Sequence, residues 1–411
     1  MSKPKHADAV LNAFPVENGE LLIGGIPITR LVNRVGQTPF YAYDRQKITE
    51  RVAHLRKHLP DEIQLHYAIK ANPMPAVVQH LASLVDGFDL ASGGEMRVAL
   101  DTGMSPDHIS FAGPGKSARE IGSAIAAGVT LNLESETELE TTAKLGRKQG
   151  IGPKVAVRVN PDFELKSSGM KMGGGPKQFG IDAERVPEVL KRIGELGLDF
   201  QGFHIFSGSQ NLRPEAIIEA QEKTFELAYR LAEDAPGPVR KLNIGGGFGI
   251  PYFPGEQPLD IAPIAERLHS LLEEKSHRLP EARVIIELGR YLVGEAGVYV
   301  CRIIDRKVSR DHVYLVTDGG LHHHLAASGN FGQVIRKNYP ALIGNRMATT
   351  ATESASIVGP LCTPLDTLAD RMELPRADTD DLAVILQSGA YGLTASPQAF
   401  LGHPACTEVL L

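Results

Sequence analysis

The 411-residue sequence predicts an α/β protein, a closed (β/α)8 barrel of the TIM type followed by an antiparallel β-domain that the N-terminal segment joins. Three observations predict it. Strand-length apolar runs alternate with helix-length amphipathic stretches from about residue 40 to 293. Eight such runs in about 250 residues match the size of a closed barrel. Past residue 293 the alternation stops, and β-like runs follow one another without long helices between them.

The apolar runs fall at 64–69, 87–91, 108–112, 130–133, 154–159, 200–205, 241–244 and 283–287. Helical patterns occupy 75–84, 94–102, 118–127, 136–148, 186–196, 214–232 and 261–278 between them. An open doubly wound sheet would show the same alternation. The barrel is favoured because the chemically interesting residues stand at the ends of many strands, whereas an open sheet gathers them near one switch point. Runs at 297–305, 307–317, 354–359 and 382–387 build the β-domain. Residues 1–39 read as extended and turn-rich. The predicted domains are therefore 1–39, joined to the β-domain, 40–293, the barrel, and 294–411, the β-domain. The glycine-rich stretch 169–175 reads as a mobile loop.

Hydrophobic residues make up 42% of the chain, enough for a large core, and the formal net charge is −6. The chain has no basic tract, which argues against a nucleic-acid partner. No apolar run approaches the roughly 18 residues of a membrane span, and no secretory signal is visible. Three cysteines, Cys301, Cys362 and Cys406, are too few for a disulfide framework. A cytoplasmic enzyme is expected.

Five constellations carry chemistry. Lys70 directly follows an apolar strand run, within the sequence YAIKAN, and a half-buried lysine at a barrel mouth loses part of its proton affinity. The run NIGGGFG contains Gly245, Gly246 and Gly247 just after a strand, where backbone amides can cradle a phosphate. ELGR places Glu287, Gly289 and Arg290 at the end of the last barrel strand. A carboxylate there can pair with a protonated pyridine nitrogen, and the arginine can grip a phosphate. GPLCTPLD, with Cys362 and Asp366, and GAY, with Tyr391, complete the set. Each alone has an ordinary structural reading as a surface lysine, a tight turn, a rim ion pair, a core cysteine or a strand-edge tyrosine.

Together, and in this order, YAIKAN, SGSQ with Ser209, GGGFG, ELGR, GPLC..LD and GAY resemble the alanine-racemase-like pyridoxal-phosphate decarboxylases, which act on diaminopimelate, ornithine or arginine. The resemblance spans about residue 38 to 411. It implies pyridoxal 5′-phosphate as cofactor, a Schiff base at Lys70 and Glu287 at the pyridine nitrogen. Ser209, Gly245, Gly246, Gly247, Gly289, Arg290 and Tyr391 would hold the phosphate region. It also implies a homodimer with active sites at the interface, where Cys362, a candidate proton donor, and Asp366 arrive from the other subunit. Asp318 and His323 would lie near the substrate side chain. No metal is expected, because adjacent histidines on a strand point to opposite faces and no acidic or cysteine cluster joins them.

Two departures bear on the substrate. In GFHIFSGSQ, Phe206 takes the place of the family's ring-stacking histidine, and His204 stands one strand repeat earlier on the same face. After Asp318 the run LHHHLAAS lacks the arginine with which diaminopimelate enzymes grip a distal carboxylate. HIFSGSQ, DGGLHHH and GPLCTPLD most resemble the decarboxylases associated with the exosortase A system and the butirosin enzyme that acts on a carrier-protein-bound aminoacyl group. The expected activity is decarboxylation of an amino-acid-type substrate, free or tethered to an acyl carrier protein. The alternatives are lysine-pathway diaminopimelate decarboxylation, racemisation, and a non-catalytic homologue without cofactor. A racemase normally sets an arginine where Glu287 stands.

Overall fold

The computed structural model describes residues 13–163, 170–171, 174–253, 255–331, 333 and 336–411. Residues 169, 172 and 173 of the stretch expected to be a mobile loop lie outside them. The chain divides into two compact units: residues 50–250 with 258–291, and residues 1–49 with 251–257 and 292–411.

The first unit is the barrel. Its strands are β1 (Gln64–Ala68), β2 (Gly87–Leu90), β3 (Ile109–Phe111), β4 (Thr130–Leu133), β5 (Lys154–Asn160), β6 (Asp199–Ile205), β7 (Lys241–Gly246) and β8 (Arg283–Leu288). Each pairs in parallel with the next, and β8 pairs with β1, so the sheet closes. Strands buried on both faces need near-continuous apolar sequence, which is why β2 and β4 are buried at all four positions. The helices α1 (Pro75–Leu81), α2 (Gly93–Asp101), α3 (Ala118–Ala127), α4 (Glu136–Gln149), α5 (Val186–Glu195), α6 (Pro214–Ala232) and α7 (Ala262–Arg278) follow the first seven strands in turn. Three consecutive helices start on the same signal, Ser-x-x-Glu. Ser92, Ser117 and Ser135 each accept a hydrogen bond from the backbone N–H three residues on, and Ser117 with Glu120 forms a full capping box. These caps fix where each chain segment leaves the barrel mouth.

The second unit is a β-domain. Its main sheet runs through Ala341–Ile343, Leu382–Ile385, Gly297–Ser309, His312–Thr317, Thr352–Val358 and Thr367–Pro375. The sheet is mixed rather than wholly antiparallel. His312–Thr317 runs parallel to Thr352–Val358, and Thr407–Leu410 runs parallel to Phe40–Tyr43. Parallel neighbours require a long connection, and the chain between Thr317 and Thr352 supplies one. Phe14, Leu21, Ile23, Ile28 and Leu31 from the N-terminal segment share a core with Phe40, Val298, Val300 and Val384. The division between the units falls at Thr49 and not at residue 40. Phe40–Tyr43 lies inside the segment assigned to the barrel, but it forms a strand that pairs with Gly297–Val300 in the β-domain sheet.

Candidate active site

Lys70 stands two residues beyond the end of β1, in the single turn Ile69–Ala71. Ile69 and Ala71 on either side are buried, and the Tyr67 hydroxyl donates to the Asn72 carbonyl at 2.9 Å, which holds the turn. The lysine side chain is 43% exposed, and its Nζ lies 3.9 Å from Glu287 Oε1. Strand register explains the approach: Glu287 sits opposite His66 across the β8–β1 pair, four residues before Lys70. Gly289 permits it, because a Cβ there would come within 2.9 Å of Ala71 Cβ.

Glu287 is buried. His204 Nε2 from β6 is 3.1 Å from its Oε2, within ion-pairing reach though off the line of an ideal hydrogen bond. Asn243 Nδ2 from β7 lies 3.4 Å from the same oxygen. Burial pushes the Glu287 carboxyl up. The His204 contact and the charges of Lys70 and Arg158 outweigh burial and hold it well below the usual carboxylate range. The site therefore contains an ionised carboxylate facing a lysine.

Phe206 follows His204 by two residues, and both face this site. Lys70 Nζ lies 5.9 Å from the centroid of the Phe206 ring. The glycine run begins at the end of β7. Asn243 Oδ1 accepts from Gly245 N at 2.8 Å and bends the chain. Gly245 and Gly247 have φ of +68° and +75°, and a Cβ would strike the Phe206 ring from the first and the Gly208 carbonyl from the second. Side chains are thus excluded at both positions, and backbone amides rather than side chains line this edge. Gly208–Ser209 forms a two-residue strand beside it, and Arg290 opens the turn Arg290–Val293 after β8.

Several polar residues were missed in the sequence. His66, Asp89, Ser110 and Asn132 come from β1 to β4 in order. His66 Nδ1 is 3.2 Å from Asp89 Oδ2, Ser110 Oγ donates to Asp89 Oδ1, and Asn132 Nδ2 donates to Ser110 Oγ at 3.1 Å. Arg158 on β5 pairs with Glu134 at 2.7 Å, both buried. On α2, Glu95 Oε2 accepts from Ala91 N at 2.7 Å. Burial raises its carboxyl pKa against that amide and the Lys70 charge. The signal for this polar belt was a single polar letter in the middle of an otherwise apolar parallel strand.

The remaining predicted residues lie in the β-domain. Cys362 is exposed and unbridged. Asp366 is buried, and both its oxygens are engaged: Oδ1 accepts from Leu321 N at 2.6 Å and Oδ2 from Leu361 N at 2.8 Å. It pins the loop that carries Cys362 to the one that begins the histidine run. Asp318 accepts from Arg302 N at 2.8 Å and from the Thr38 hydroxyl. The histidine run is a series of turns rather than a strand, with His323 N and His324 N both donating to Gly320 O, so all three rings are buried. His323 lies 3.2 Å from the Tyr299 hydroxyl through Nδ1 and 2.9 Å from the Pro404 carbonyl through Nε2. Arg336 donates to the Thr367 carbonyl, and Lys337 lies over the Phe253 ring. Tyr391 has a positive φ of 53° just after the buried Ser388–Ala390 run. Among the described residues, no group of three metal-ligating side chains comes together.

The donors present fit pyridoxal phosphate: a lysine for its aldehyde carbon, an ionised buried carboxylate for its ring nitrogen, an aromatic face between them and a side-chain-free backbone cradle for its phosphate. Fold and site thus define a pyridoxal-phosphate enzyme of the barrel type. The family model described as the pyridoxal binding domain of pyridoxal-dependent decarboxylases matches residues 45–294. The chain is 38% identical over 393 residues to the L-glutamyl-BtrI-acyl-carrier-protein decarboxylase of Niallia circulans, covering 93% of this chain and 90% of that one. It is 32% identical over 397 residues to the diaminopimelate decarboxylase of Aquifex aeolicus, covering 96% and 91%. The crystal structure of diaminopimelate decarboxylase from Helicobacter pylori complexed with L-lysine matches with a TM-score of 0.81 at 27% identity, over 93% of this chain and 94% of that one. The chain belongs to the pyridoxal-dependent decarboxylase family and is a pyridoxal-phosphate-dependent amino-acid decarboxylase.

Proposed function

We propose that the protein decarboxylates an aminoacyl group carried on an acyl carrier protein. The observation that carries this reading is the 38% identity, over nearly the whole chain, to a decarboxylase whose named substrate is carrier-bound. The run 321–328 supports it. A diaminopimelate substrate brings a second carboxylate, and burying one without a partner costs several kcal/mol. The run has no arginine, and its three histidines are packed inward. A thioester in place of the distal acid removes that cost.

When bound, the cofactor supplies an electron sink for the charge left at Cα as CO₂ departs. In this reading Lys70 would hold the cofactor through its Nζ. Glu287, kept ionised by its surroundings, would face the pyridine nitrogen and favour its protonated form. His204 acts through Glu287 by fixing its orientation. Phe206 would offer the ring an aromatic face and has no proton to exchange. Ser209, Gly245, Gly246, Gly247, Gly289, Arg290 and Tyr391 hold the phosphate end. Cys362 of the partner subunit delivers a proton to Cα in a homodimer with shared sites, and Asp366 of the partner subunit fixes the loop that presents it. Asp318 and His323 shape the substrate side of the same region. The protein works in the cytoplasm, as its three unbridged cysteines suit, and in association with an exosortase A system, on the strength of the HIFSGSQ, DGGLHHH and GPLCTPLD motifs.

Carbon dioxide release from meso-diaminopimelate, lysine, ornithine, arginine and a glutamyl-thioester on a carrier protein tests the reading. Turnover confined to the thioester is expected. A kcat/KM of about 10⁴ M⁻¹s⁻¹ or more on free meso-diaminopimelate would return the protein to lysine synthesis.

A further inference from the structure

A small cleft opens beside the glycine run, inside the barrel unit. Gly208, Gly246 and Gly247 form one wall, and the first turns of α6 form the other. The Phe206 ring lines it too, and the same ring faces Lys70, so the cleft adjoins the site already described. On α6, Ala216 and Ala220 are four residues apart and share a face. Their side chains end at Cβ, which leaves room in front of them. Gln221 follows at the edge of that space.

Gln221 is only 4% exposed, yet its Oε1 is buried without a hydrogen-bond partner. A buried carboxamide left in this way is costly unless a ligand or water completes it. Its two ends exchange by a half-turn about the last side-chain bond, so it can offer either the carbonyl or the two N–H donors. The other groups around the cleft are mainly glycine backbone and alanine or isoleucine side chains, which offer an anion amides but no charged side chain. An uncharged donor that reaches in from α6 adds a hydrogen bond to an anionic oxygen without adding a charge.

We propose that Gln221 is a further cofactor-binding residue, whose amide completes the phosphate seat begun by the glycine run and the Gly208 turn. The inference rests on the pyridoxal-phosphate reading of the site and deepens it at one residue. No motif points to this glutamine; only its place on the α6 face does.

The test compares two ligands that differ only in the phosphate. Dissociation constants of pyridoxal 5′-phosphate and of pyridoxal are measured by absorbance and fluorescence titration of apoprotein, for the wild type and for Gln221→Met. Methionine keeps the volume and removes the amide. The phosphate ester should bind about tenfold to a hundredfold more weakly to the variant, the range for one lost hydrogen bond to a charged group, while pyridoxal binding stays unchanged. Gln221→Asn, which withdraws the amide by one methylene, gives the same comparison where Gln221→Met does not fold, with the ³¹P shift of the bound ester as second readout. Equal losses for both ligands, or unchanged affinity and ³¹P shift in a folded variant, overturn the proposal. A wild type that binds neither ligand would instead overturn the cofactor reading itself.

Discussion

Replacing His204 by leucine tests how Glu287 stays ionised inside the barrel. The carboxylate is 8% exposed and has three neighbours: His204 at 3.1 Å, Asn243 at 3.4 Å and Lys70 at 3.9 Å. A hydrogen bond to a charged group contributes about 1.5–3 kcal/mol, and the off-line geometry places this one near the lower end, at about 2 kcal/mol. One pKa unit corresponds to about 1.4 kcal/mol, so losing His204 raises the pH at which Glu287 protonates by about 1.5. The sign follows from linkage. A carboxyl held below its unfolded value adds stability that is complete above that value, near 4.5, and is lost as pH falls through the folded one. His204→Leu therefore shortens the acid limb, and unfolding on acidification begins at higher pH. The assay is urea unfolding of the apoprotein at pH 7 and at intervals from about pH 4.5 down to about pH 3, across the acid limb, in a double-mutant cycle with Glu287→Leu. A coupling energy of about 2 kcal/mol is expected. A coupling below about 0.5 kcal/mol, with an unmoved acid limb, would show that Lys70, Arg158 and Asn243 suffice and that His204 has no hold on the carboxylate.

Lys70→Ala should abolish both borohydride-trappable cofactor and turnover, and a reducible adduct on another lysine would displace Lys70 from its role. Mixing Lys70→Ala with Cys362→Ala protomers, each nearly inactive alone, should restore up to about a quarter of wild-type activity if subunits exchange and sites are shared; exchange without recovery refutes sharing. Asp366→Ala strips the acceptor from two backbone amides and should cost about 3–6 kcal/mol in thermal or urea unfolding of the β-domain, whereas a loss under about 1 kcal/mol would mean the loops hold without it. Burial lowers the pKa of His324 from its ordinary 6.5 to about 3, so its contribution to stability is complete above pH 6.5 and fades as pH falls. The pH dependence of apoprotein stability between pH 4 and 6 should flatten in His324→Gln, by up to about 1.4 kcal/mol per pH unit.

The barrel was legible because eight buried parallel strands must be written as apolar runs, and the helices between them as amphipathic ones. Lys70, Glu287 and the glycine run were legible because they stand at strand ends, where a motif is contiguous. The polar belt of His66, Asp89, Ser110 and Asn132 was not. Each member is one letter in a different strand, and they become neighbours only when the sheet curls. Phe40–Tyr43 fell inside the segment assigned to the barrel for a similar reason: only long-range pairing places it in the other sheet. The three histidines were read as a strand with alternating faces, whereas Gly320 starts a turn that sends all three rings inward. Local sequence reports periodicity well. It reports closure and tertiary pairing only where a motif happens to mark them.

The place of Phe40–Tyr43 in its sheet has a consequence for how the protein is made. This strand leaves the ribosome early, yet one neighbour is Gly297–Val300 and the other Thr407–Leu410. The barrel strands pair mostly with neighbours a few tens of residues away and can assemble as they emerge, with only the β8–β1 closure waiting for residues 283–288. An apolar edge formed by Phe40, Tyr41 and Ala42 must remain uncovered through most of synthesis. Nascent chains stalled between residues 300 and 400 should therefore hold a formed barrel beside an incomplete sheet with an open strand, and should be the species that chaperones engage.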